Sequence, residues 1–131
     1  MKKTGLLNQP LSAVIAGMGH GDMLVIADCG LPIPAEVPRI DLALTAGVPG
    51  FLQTLAAIQQ ELQVEGAIIA REMPEKSRDL YQALLPLLGK VDIVQIEHER
   101  FKEMTKQAVA VVRTGECTSY ANVILKSGVV F

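Results

Sequence analysis

The chain has 131 residues, half of them hydrophobic and only 4% aromatic, which suits one domain with a core of Leu, Ile, Val and Ala rather than large rings. Its formal charge of -2, with Lys and Arg scattered along the chain, offers no basic stripe of the kind a nucleic-acid backbone requires. Lys2 and Lys3 precede Leu6-Leu7, but Asn8, Gln9 and Pro10 interrupt before a signal-peptide core forms, and no apolar run approaches membrane-spanning length.

After Pro10, the residues Leu11, Val14, Ile15 and Met18 repeat at helical spacing until Gly17 and Gly19 break the pattern, so a first helix ends close to His20. The apolar run Met23–Ala27, set between Asp22 and Asp28, reads as a buried strand. Residues 30–38 hold three prolines and read as a stiff loop leading to a strand at 39–44.

Phe51, Leu55, Ile58 and Leu62 share one face of a helix over 51–62. Val64–Ala70 reads as a strand, 75–88 as a helix whose end Pro86 blurs, and 91–96 as a further strand. Residues 97–106 suit a surface helix and 108–113 a β-branched strand, while 123–125 and 129–131 are strand-like pieces parted by Lys126-Ser127-Gly128. This alternation predicts a single-domain α/β sandwich over residues 1–131, with a central, mainly parallel sheet, helices on its faces and an antiparallel edge from the last two strands.

His20 lies between Gly19 and Gly21, where the backbone turns sharply and a ligand can come close, and an imidazole exchanges protons near neutral pH. On these residues alone the commoner reading still leads, that the histidine caps or follows the first helix with no further role. Asp28 directly follows an apolar strand, and open α/β sheets bind ligands beyond the carboxyl ends of their strands, although an aspartate there also suits a turn before Gly30. His98 holds the corresponding position after strand 91–96. The polar stretch 114–122, with Tyr120 and Asn122, carries the hydroxyl and amide groups that a polyhydroxylated ligand needs, or is an ordinary turn-rich connection.

Neither metal nor nucleotide chemistry is indicated. No paired-histidine or paired-cysteine ligand spacing occurs, and the glycines complete neither a dinucleotide fingerprint nor a phosphate loop. Cys29 and Cys117 stand too far apart in sequence to suggest a disulfide framework and read as reduced, structural thiols.

The segments Met1–Asn8, Gly19-His20-Gly21-Asp22, Ala27–Pro34, Arg39–Leu42 and Gly47-Val48-Pro49, with Arg113–Glu116, Tyr120–Leu125 and Gly128-Val129, together resemble the D-ribose pyranase family and its sibling, the L-fucose mutarotases. Gly21 departs towards the fucose branch, and Gly30-Leu31-Pro32 returns towards ribose. The resemblance implies an enzyme that interconverts the pyranose and furanose forms of free D-ribose by acid/base ring opening and reclosure. It implies no metal or organic cofactor, a cytoplasmic location and a homo-oligomer built as a decamer of two pentameric rings. Carried over, His20 is the proton donor, Asp28 and His98 bind the sugar, and Tyr120, Ala121 and Asn122 complete the pocket, Ala121 through its backbone. Fucose anomer exchange and a non-catalytic sugar-binding module are the alternatives.

Overall fold

The computed structural model describes all residues from Met1 to Phe131. Helix α1 (Gln9–Gly17) begins where Asn8 Oδ1 accepts the Leu11 N–H at 2.9 Å, and Pro10 occupies its first turn. An asparagine cap and a first-turn proline are what an unpaired helix start accommodates best. Strand β1 (Met23–Ala27) follows, then β2 (Arg39–Asp41), α2 (Phe51–Gln59), β3 (Val64–Ala70), α3 (Met73–Lys76), α4 (Arg78–Leu88) and β4 (Asp92–Ile96). Helix α5 (His98–Met104) runs into a 3-10 turn at Thr105–Gln107, and β5 (Ala110–Arg113) and β6 (Val123–Ser127) complete the chain.

The strands form one six-stranded sheet in the order β2-β5-β1-β6-β3-β4. Strand β1 is parallel to β5, β2 to β5 and β3 to β4, whereas β6 runs antiparallel to both neighbours, β1 and β3. The expected mainly parallel α/β sheet is therefore present. The expected antiparallel edge is not: β6 lies in the interior, pairing Val123 with Ile26 on one side and Ile69 on the other. Its residues Val123, Ile124 and Leu125 are fully buried, which follows from pairing on both flanks rather than one. The strand also continues through Lys126 and Ser127, where a break was expected, and residues 129–131 form no strand.

Alternate residues of the central strands feed two cores. Leu24, Ile26, Ala110, Val112, Val123 and Leu125 pack with Leu11 and Ile15 of α1, Phe51, Leu55 and Ile58 of α2, and Leu84 and Leu88 of α4. On the other face Val25, Ala27, Val111 and Ile124 pack with Phe101 of α5 and with Leu31 and Val37 of the proline-rich loop. The period-2 alternation of strand side chains thus divides one apolar run between two helical layers.

Two further boundaries differ from expectation, while the end of the helix at residue 88 is where it was expected. The helix expected at 75–88 is two, broken at Ser77 (φ -139°, ψ 55°). Pro86 does not end α4: the buried Leu84 and Leu88 hold its last turn, and Gly89 at φ 61° closes it by donating to Leu85 O at 3.0 Å. Strand β2 ends at Asp41, whose carboxylate accepts the Ala43 N–H at 3.1 Å and turns the chain.

Candidate active site

Every parallel strand points its carboxyl end to one edge of the sheet, and β6 starts from that same edge. Asp28, His98 and residues 114–122 therefore meet there, as the rule for open α/β sheets anticipates. They surround a cavity of about 420 Å3, lined by Asp28, Cys29, Leu31, His98, Glu116, Cys117 and Tyr120 among others. A cavity of this size falls within the range of small-molecule sites.

The cavity wall is held by bonds between segments remote in sequence. Thr114 Oγ1 donates to Ala27 O at 2.7 Å and Cys29 N–H to Glu116 O at 2.8 Å. Asn122, fully buried, donates from Nδ2 to Asp28 Oδ2 at 2.8 Å and accepts the Asp28 N–H on Oδ1 at 2.9 Å. The other Asp28 oxygen accepts the Gly30 N–H at 2.9 Å. The carboxylate is thus fixed on both oxygens while its edge still faces the cavity. Asn122 spends its amide on Asp28 and stands behind the wall rather than in it.

His98 opens α5, its N–H shared between both Glu72 oxygens at 3.2 Å. Its ring meets Tyr120 edge-on (centroids 5.1 Å, 88°) and lies parallel to Phe101 (6.3 Å, 15°). Nδ1 is buried without a hydrogen-bond partner, and the residue lines the cavity. Tyr120 takes φ 61°, a left-handed conformation unusual for a large L residue, and Ala121 is fully buried with its N–H on Thr118 O at 3.3 Å.

His20 is elsewhere. It precedes β1, whereas Asp28 follows it, and at ~3.3 Å per residue the stretch from Asp22 to Asp28 alone is about 20 Å long. At the opposite sheet edge His20 Nε2 lies 2.8 Å from Glu65 Oε2, with its side chain 60% exposed. The chain therefore brings together Asp28, His98, Tyr120, Ala121 and Asn122, but not His20.

Three cavity residues escape the sequence reading. Glu116 is one: burial pushes its carboxyl up, but bonds from Thr118 Oγ1 and the backbone N–H groups of Phe51, Thr118 and Cys117 outweigh this and hold it below the ordinary glutamate range. Its place in a polar stretch was the only signal. The others are Cys29 and Cys117, whose free thiols face each other with Sγ atoms 3.4 Å apart although they stand 88 positions apart in sequence. Their contact, then burial, pushes the Cys29 thiol above its ordinary value. No group of three or more His, Cys, Asp and Glu side chains converges as a metal site would require, and no helix is long and apolar enough to cross a membrane.

Comparison with known proteins adds four findings. The model of a family described as the RbsD / FucU transport protein family matches residues 1–130. A D-ribose pyranase of Coprothermobacter proteolyticus is 61% identical over 131 residues, covering all of both chains. Among solved structures, Bacillus subtilis RbsD complexed with D-ribose superposes with a TM-score of 0.97 at 46% identity over the whole of both chains. A fucose mutarotase from Streptococcus pneumoniae in complex with L-fucose gives 0.79 at 26% identity, over 95% of each chain.

Proposed function

The chain belongs to the RbsD / FucU transport protein family, and from that premise we infer that it is a D-ribose pyranase, interconverting the pyranose and furanose rings of free D-ribose. The observation that carries this is the end-to-end identity of 61% to a D-ribose pyranase. The fucose branch is more distant, at 26% identity to the mutarotase.

The reaction breaks the bond between the anomeric carbon and the ring oxygen, then closes the aldehyde through a different hydroxyl. One group must protonate the departing ring oxygen and another must take the anomeric hydroxyl proton. No atom changes oxidation state, so positioned proton transfer suffices, each such transfer contributing about 10²–10⁴-fold. Asp28, fixed by Asn122 and Gly30, presents an acceptor for sugar hydroxyls and for the anomeric proton. His98 and Tyr120 bind the remaining hydroxyls, and Ala121 shapes the loop through its backbone.

The proton donor is His20 of the partner subunit. Within one chain His20 lies at the wrong edge of the sheet and in water, so a second copy must carry it to the cavity. Apolar side chains left in solvent support such an assembly: Leu44 is 82% exposed, Val94 54% and Phe131 fully. The reading includes a decamer of two pentameric rings, a single domain and a cytoplasmic location.

Saturation-transfer NMR on ribose and fucose side by side tests it. Faster exchange between ribose ring forms, with little effect on fucose, is expected. Fucose anomer exchange alone would assign the chain to the sibling activity, and contact without exchange would make it a binding module. His20→Ala is expected to keep ribose contact and lose most exchange.

A further inference from the structure

The histidine assigned as proton donor is tied to a carboxylate. His20 Nε2 lies 2.8 Å from Glu65 Oε2, and the other oxygen of Glu65 lies 3.0 Å from Lys126 Nζ. The three groups come from the turn before β1, the start of β3 and the end of β6, and they are neighbours because the sheet runs β1-β6-β3. That corner is firmly made. Gly21, at φ 87°, donates to Ser127 O at 2.8 Å, Ser127 N–H donates to Asp22 O at 2.8 Å, and Asp22 Oδ2 accepts the Gly19 N–H at 2.8 Å. A Cβ on Gly128 would stand 3.0 Å from that of Glu65, so glycine leaves the carboxylate its place.

We propose that Glu65 is the positioning residue of His20: it accepts the Nε2 proton, fixes the ring's tautomer and direction, and leaves Nδ1 as the nitrogen that exchanges a proton with the sugar. Lys126 keeps Glu65 ionised for that task. The inference rests on His20 being the proton donor.

An ionised carboxylate has no proton to give, so a nitrogen in hydrogen-bond contact with it must carry one. Glu65 is in that state over a wide range, because hydrogen bonds from Lys126 first and His20 second hold its carboxyl below the ordinary glutamate range. With Nε2 committed, only Nδ1 is free to act. When Nδ1 gives its proton to the ring oxygen, the ring becomes neutral and stays anchored through Nε2–H. When Nδ1 takes a proton back, the positive ring forms beside the ionised Glu65 carboxylate, to which Nε2–H stays bonded. The charged groups facing His20 are thus Glu65 from β3, Lys126 from β6 across that carboxylate, and Asp22 from its own turn. An ion pair this exposed contributes little to stability, so its value lies in orientation.

Exchange rate is measured against ribose concentration and pH for His20→Ala, Glu65→Gln and Lys126→Met. Glu65→Gln is expected to lower kcat about 10- to 100-fold, the usual effect of removing a carboxylate that orients a working histidine, and to change KM less than about threefold. Lys126→Met removes the contact that most lowers Glu65, so the acid limb of the kcat profile is expected to move to higher pH. A merely structural ion pair would move neither. Glu65→Gln within about twofold of the parent kcat, with His20→Ala inactive, overturns the positioning role and leaves His20 standing. Exchange retained by His20→Ala overturns the donor assignment instead. Should Glu65→Gln fail to fold by circular dichroism, an unmoved acid limb in Lys126→Met overturns the proposal.

Discussion

Asp28 owes its orientation to one buried amide. Asn122→Ala would remove the partners of the Asp28 N–H and of one carboxylate oxygen in a half-buried position, a cost of about 1 kcal/mol for the lost hydrogen bonds. Chemical denaturation is expected to show that loss, and ribose titration a weaker affinity, because the carboxylate is then free to turn away. Asp28 was legible in the sequence as a carboxylate after a buried run, and His98 by the same logic. The role of Asn122 was not, since it stands 94 positions from Asp28 in sequence and nothing in composition says which side chains the sheet will pair. Glu65 was hidden for another reason: in an alternating strand it resembles any solvent-facing residue.

At the level of elements, the loop of residues 114–118 connects the cavity to α2. Gly50, the cap of α2, supplies no side-chain bond, and Glu116 Oε2 accepts the Phe51 N–H in its stead at 3.2 Å. Gly115 permits this approach, because a Cβ there would stand 2.5 Å from the carbonyls of Thr45 and Val48. Glu116→Ala is expected to cost about 1 kcal/mol at neutral pH, as loss of a helix cap does. The carboxyl of Glu116 sits lower in the folded chain than in the unfolded one, so its stabilisation is complete above the ordinary glutamate value and lost as pH falls through the folded value. The gap between parent and variant in urea melts should therefore close in acid. Elements with strong periodicity, such as β1, β3 and α2, were evident from sequence. The break at Ser77 was not, because apolar spacing continues across it from Met73 to Leu84.

For the molecule as a whole, a site divided between copies predicts complementation. His20→Ala and Asp28→Asn chains, each inactive alone, should regain activity when unfolded together and reassembled, with about one site in four combining an intact His20 with an intact Asp28. NMR exchange on the mixture measures it, and no recovery would place both groups in one chain. The alternation of strands and helices announced the α/β class, but hydropathy cannot name a strand's partners. For that reason β6 was expected at the rim and is found in the middle. This placement also governs biosynthesis. The strands β2-β5-β1 and β3-β4 are two half-sheets that touch no common strand until β6 is laid between them, and β6 is the last of the six to be synthesised. Until then each half offers an unpaired inner edge, so the nascent chain passes through a stage open to wrong pairing, which its final strand ends by joining the halves.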